Sequence, residues 1–306
     1  MFNKFYFIIK LLSSVFLLIF CFTLVDYTLV LENIYSQSFI YFLFSSVLIF
    51  LTLILASLRW KYICKALNVK MNLTEILHIS LFSNFVGQIL PGGGISGEIT
   101  KVFLSFNKKN KKVLVFKSVL YDKLFGLFIA FLFFLFSTIY FLFKFRNLND
   151  ERLMLIILLI FFLCLIILFY YRKFNQKLRT LQKINEIIKI PFKISEIFKF
   201  ILISTLIYLL VLICFIILCF QAMEVDMIVE IILCFPIIHF LKSFPLSVSG
   251  WGIREVVTVY LFSYFNLSNE IALSISISLG VIILVASFYG LIISILLNLK
   301  LKYQTS

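Results

Sequence analysis

Apolar stretches long enough to cross a bilayer recur along this chain, at residues 5–25, 38–58, 124–143, 153–171, 200–220 and 271–297. A helix rises about 1.5 Å per residue, so each stretch spans the roughly 30 Å of hydrocarbon in a membrane. Hydrocarbon supplies no hydrogen-bond partners, and a continuous apolar run satisfies its own backbone there only as an α-helix. Composition agrees, because 63% of the 306 residues are apolar and 14% charged, against about 45–50% and about 25% in soluble domains. The excess cannot fit within one core. The expectation is an all-α integral membrane protein with six transmembrane helices and no room for a large soluble catalytic domain.

Loop charge sets the expected orientation. The first run carries Lys4 and Lys10 and lacks a small-residue cleavage pattern before Asp26, so it reads as a signal anchor. The following loop, 26–37, contains no Lys or Arg, whereas Arg59, Lys61, Lys65 and Lys70 crowd the next one. Segment 172–199 is the most basic of all, and Glu224, Asp226 and Glu230 mark the opposite side. Positive loops stay cytoplasmic, which places both termini inside a plasma (inner) membrane. The 28 Lys and Arg against 14 Asp and Glu give a net charge of +14, which suits anionic headgroups at the cytoplasmic face better than nucleic acid.

Two apolar segments, 73–106 and 227–265, are interrupted by glycine and proline and hold seven of the ten glycines. A single crossing by the first would put Lys101, Lys108, Lys109, Lys111, Lys112, Lys117 and Lys123 outside, against the charge rule. A helix–break–helix hairpin returning to its side of entry avoids that. The second segment follows the acidic loop and reads as a hairpin entering from outside. The chain thus divides into an anchor and outer loop (1–37), a first repeat (38–143, hairpin 73–106), a connection (144–199) and a second repeat (200–298, hairpin 227–265), an inverted-topology arrangement. In transporters with such repeats, the broken segments locate the substrate site.

The breaks carry the candidate chemistry. Pro91 and Pro245 mark the interruptions, and Gly93, Gly94, Gly97, Gly250 and Gly252 permit the backbone angles needed there. Irregular backbone at membrane depth requires a protein-lined or wet surrounding, and the helix beginning after each break points a positive dipole end into it. Lys101 and Arg254, with Ser96, Ser247 and Ser249 as donors, would seat a phosphate-bearing headgroup. Glu98 and Glu255 have three readings: capping the helix dipole with local pairing, Glu98 to Lys101 at i, i+3; uptake of a proton during transport; or orientation of Lys101 and Arg254. Asp122 and Lys123 stand at the entrance of the run beginning at Leu124, as an interfacial pair or a functional one. Arg59-Trp60 reads as an interface anchor. His78 and His239 lack metal-ligand spacing, the six cysteines form no CxxC pair, and Gly92-Gly93-Gly94 is not followed by GK[ST]. No metal, nucleotide or other cofactor is expected.

Arg59-Trp60, the stretch from Pro91 to Lys101 ending Ser96-Gly97-Glu98-Ile99-Thr100-Lys101, the element Asp122 to Gly126, and Pro245-Leu-Ser-Val-Ser-Gly-Trp-Gly-Ile-Arg-Glu255 together resemble the flippase-like membrane domain of lysylphosphatidylglycerol synthases. The last motif matches that family's Pro-x-Ser-x-x-Gly-x-Gly-x-Arg-Glu pattern. The first departs from Gly-Gly-Asp/Glu-x-x-Arg, with Ser96 for a glycine and Lys101 for the arginine, and Lys123 stands where arginine is common. The resemblance implies a lipid translocase domain. Because the chain stops at Ser306, the soluble aminoacyl-transfer domain is not expected, and neither is lysyl transfer. The expected partners are membrane lipids that are anionic or phosphate-bearing, and an enzyme that makes the lipid. Two other classes remain open: a membrane-embedded glycosyl- or acyltransferase with Asp26 or Glu32 as its acid, and an auxiliary subunit.

Overall fold

The computed structural model describes residues 2–23, 25–90, 94–106, 111–144, 192–222, 228–244 and 247–305. The run at 153–171, most of the basic segment after it, and Pro91, Gly93 and Pro245 lie outside the described residues. What is described is helical, with no strand among it: α1 (Phe2–Thr23), α2 (Tyr27–Tyr35), α3 (Phe39–Ala66), α4 (Leu73–Ile89), α5 (Gly94–Leu104), α6 (Lys112–Lys144), α7 (Ile194–Ala222), α8 (Ile228–Leu241), α9 (Ile253–Ser263) and α10 (Asn269–Thr305).

Four helices, α3, α6, α7 and α10, are long and apolar enough to cross a membrane. Only 22–39% of their most apolar windows is buried inside the protein, so most of that surface requires lipid. The second half of α1 and the whole of α2 make a fifth candidate span, bent by 97°. The described residues therefore hold four or five spans. The loop expected at 26–37 is largely helix. The Asp26 carboxylate accepts the Thr28 amide at 2.9 Å and the Thr28 hydroxyl at 2.6 Å, an N-cap that starts α2.

Both broken segments fold as helix–break–helix pairs, α4–α5 and α8–α9. In the second, Pro236 sits inside α8 and the break falls after Leu241. The pairings between helices follow a recurring pattern. Within the first set α3 packs on α4, α4 on α5, α5 on α6 and α3 on α6; within the second α7 packs on α8, α8 on α9, α9 on α10 and α7 on α10. The sets also exchange elements: α4 packs on α10 as α8 packs on α6, α3 on α10 as α7 on α6, and α3 meets α7 directly.

Close packing rests on small residues, as it does where lipid is as apolar as the side chains. A Cβ on Gly97 would lie 2.6 Å from the Ser83 carbonyl oxygen, so only glycine lets α5 rest on α4. Many helix hydroxyls satisfy themselves by donating one turn back, Thr52 to the Ile49 carbonyl at 2.6 Å and Ser204 to that of Phe200 at 2.7 Å. Aromatic pairs tie the sets together, with Phe133 stacked on Tyr208 at 4.2 Å and Phe134 on Phe240 at 4.6 Å between ring centres.

Two helix ends differ from the sequence expectation. α3 continues past residue 58 to Ala66, and α6 begins at Lys112, twelve residues before Leu124. Arg59, Trp60, Asp122 and Lys123 therefore sit within helices, not at their entrances. Lys and Arg are good helix formers, and these charges face inward, where they meet one another.

Candidate functional site

Between α3, α4, α5, α6, α7 and the end of α8 lies a polar cavity of about 320 Å³. Its floor is the Asp122 carboxylate. Oδ1 accepts from Arg59 Nε and Oδ2 from Lys101 Nζ, each at 2.7 Å, with all three side chains buried. Arg59 also donates to the Ser204 hydroxyl at 2.8 Å, and the Lys101 ammonium lies 4.3 Å from the centre of the Trp60 ring. Trp60, fully buried, donates to Ser118 at 3.2 Å. Of the interface anchor of the sequence reading, Arg59 lines the cavity and Trp60 packs buried behind Lys101. A buried charge is tolerated when paired and hydrogen-bonded, and here one carboxylate serves two cations drawn from two helices.

Lys123 reaches the same cavity and makes no ion pair among the described residues. Its ammonium passes where a Cβ on Gly94 would stand, 2.8 Å away, so the glycine opening α5 leaves the space Lys123 uses. Arg59, Lys101 and Lys123 against Asp122 and Glu98 make three cations and two carboxyl groups around one space. Five lining groups present buried atoms with no hydrogen-bond partner among the described residues: Ser83 Oγ, Asn84 Oδ1, Glu98 Oε2, Tyr208 OH and His239 Nδ1. Buried polar atoms are ordinarily paired. Their gathering at one cavity makes it the candidate site.

The expected Glu98–Lys101 pair does not form. Lys101 turns to Asp122, whose two oxygens hold the cations on either side, and Glu98 faces the cavity.

The second break is built differently. Glu255, fully buried, accepts the Gly252 amide at 2.6 Å through Oε2. Through Oε1 it takes Arg254 Nη2 at 2.6 Å and Nε at 3.1 Å, while Ser276 of α10 bonds both side chains. The guanidinium lies over Trp251, 4.8 Å from the ring centre. Gly252, at φ +89°, begins α9, and its Cβ would meet Leu17 of α1 at 2.6 Å. The chain's own carboxylate thus occupies the start of α9 where the sequence reading seats a phosphate, and Arg254 lies outside the cavity lining. The break still touches the cavity wall, because Ser249, at φ +51°, hydrogen-bonds Gln88 of α4. Ser247 is buried with no partner for its hydroxyl among the described residues, and Gly250 backs onto Lys242.

Of the sequence candidates, Gly94, Gly97, Glu98, Lys101, Asp122 and Lys123 come together on the cavity. Ser96 does not line it and approaches the Leu90 carbonyl at 3.5 Å. Sequence reasoning missed Arg59 as a site residue, and also Asn84, Gln88, Tyr208 and His239. A signal for α4 was present: Ser80, Ser83, Asn84, Gly87 and Gln88 follow the i, i+3, i+4, i+7, i+8 spacing of one helix face, an inward polar stripe in an apolar helix.

Lipid-exposed helices, two broken helix pairs and a charged cavity among them define a polytopic helical membrane protein with an internal polar site. The chain belongs to the family described as lysylphosphatidylglycerol synthase TM region, whose model matches residues 7–293. No curated protein and no solved structure matches it. Family and helices agree on an integral membrane protein with a lipid-related role.

Proposed function

We propose that the chain moves a phosphate-bearing lipid between leaflets, with the headgroup passing through the cavity and the acyl chains remaining in the bilayer. The observation that carries this reading is Lys123, an ammonium without an ion pair among the described residues, in a cavity where cations outnumber carboxyl groups. The exchanged pairings of the two helix sets support an inverted repeat with hairpins inserted from opposite faces, and loop charge supports cytoplasmic termini in a plasma (inner) membrane. The six-crossing count belongs to the same proposal.

The test uses the full chain in liposomes containing fluorescent short-chain phosphatidylglycerol, with quencher added outside. Wild type should accelerate loss of inner-leaflet fluorescence, and Lys123→Gln should slow it by roughly tenfold or more, the value of one lost charge-assisted contact. Protein-containing liposomes no faster than empty ones would refute translocation. A transferase would instead lose its product, read by mass spectrometry, on Asp26→Asn or Glu32→Gln. The Asp26 carboxylate is engaged in starting α2, so those changes should leave translocation intact.

A further inference from the structure

The two carboxyl groups of the cavity are not equivalent. Asp122 has both oxygens engaged by cations at 2.7 Å. Glu98, one turn before Lys101, keeps a buried oxygen with no partner among the described residues and lines the same space. Glu255, its counterpart at the second break, has both oxygens bonded and lies outside the cavity lining. Of the two glutamates that begin the second arms, only Glu98 is placed to exchange a proton with a molecule in the cavity.

We infer that Glu98 carries one proton with each lipid, so that translocation is a symport of a proton and a phosphate-bearing anion. This rests on the translocation reading above. With Glu98 ionised, three cations face two carboxylates, a balance of +1; with Glu98 protonated, three face one, a balance of +2. On one side hydronium gives up an O–H bond as one forms on the Glu98 carboxylate, and on the other side, after the headgroup departs, that bond breaks and the proton re-forms hydronium with water. No other bond is made or broken. Protonation removes the negative charge that repels a phosphate, and deprotonation restores it.

The groups facing Glu98 are consistent with this role. α4 offers only uncharged Ser80, Ser83, Asn84 and Gln88; α6 offers Asp122 and Lys123; α3 offers Arg59; α7 offers Tyr208; and α8 offers His239, with Lys242 just beyond it. Lys101 on the same helix is held by Asp122.

The experiment holds the membrane potential at zero with potassium and valinomycin and imposes a pH difference of one unit across liposomes containing fluorescent phosphatidylglycerol. A singly charged lipid moving with one proton is electroneutral, so the probe should accumulate about tenfold in the leaflet facing the alkaline side. Wild type in lightly buffered detergent should also take up roughly one proton per bound probe lipid, read with a pH dye. Glu98→Gln should lose both responses and give an even distribution.

Even distribution by wild type under the gradient would overturn the symport and leave translocation standing. Accumulation on the acidic side would overturn it as well, as would a gradient response that survives in Glu98→Gln. Proton uptake on lipid binding without translocation would support the role of Glu98 while refuting transport, and a wild type that neither binds nor moves the probe refutes both. The wild-type measurements decide the matter even if Glu98→Gln does not fold.

Discussion

Asp122 holds two cations that reach it from different helices, and removing its charge would leave both buried without compensation. Breaking a buried pair by deleting one partner costs about 3–5 kcal/mol, so Asp122→Asn should lower the melting temperature sharply in detergent. Arg254 is the structural counterpart: its Nε and Nη2 bonds to Glu255 use the planar fork that Lys lacks. Arg254→Lys should lower thermal stability while the folded fraction translocates at the wild-type rate; a transport defect with unchanged melting would return Arg254 to the headgroup site. In the loop that the proposed topology places outside, donation from the Thr28 hydroxyl and then its amide holds the Asp26 carboxyl below the usual range. A depressed folded value means that this cap is fully present above the ordinary carboxylate range and is lost as pH falls through the depressed one. The protection factor of the Val30 amide, whose N–H donates to the Asp26 carbonyl at 3.1 Å, should fall in acid.

Helix contacts carry the next level of specification, and glycines test them. Gly97→Ala would drive a Cβ to 2.6 Å from the Ser83 carbonyl and 3.3 Å from the Gly87 Cα, both backbone atoms that cannot step aside. It should destabilise the α4–α5 pair by about 1–3 kcal/mol, the usual cost of overpacking. Gly290→Ala meets Leu81 and Leu53 side chains at 3.4 Å and 3.5 Å, ordinary contact, and should melt near the wild type. The helix–break–helix form of α4–α5 and α8–α9 was readable because glycine and proline clusters have few uses inside an apolar run. The ends of α3 and α6 were not, because a charge beside an apolar run looks the same whether it meets headgroups or a counter-ion on another helix. Asp122 and Arg59 are 63 residues apart, and no local pattern announces such a pair. The polar stripe on α4 was legible, but it was obscured by the strong apolar character around it.

At the scale of the molecule, the exchanged pairings of α3 to α6 with α7 to α10 predict opposite hairpin insertion. Single cysteines test it: Lys111→Cys should label only from the cytoplasm and Ser268→Cys, at the α9–α10 turn, only from outside. Labelling of both from one side would leave the matching contacts without an inverted topology. The pairing of Arg59 with Asp122 bears also on how such a chain is made. Ribosomes add about 5–20 residues per second, so the 63 residues between them take roughly 3–13 s to synthesise. Throughout that interval the nascent Arg59 has no carboxylate from α6, and its side chain must be lodged near the lipid headgroups or held by the insertion machinery. α3 can therefore settle to its final depth only when α6 arrives, which makes biogenesis of this bundle a delayed, joint insertion and not a helix-by-helix one.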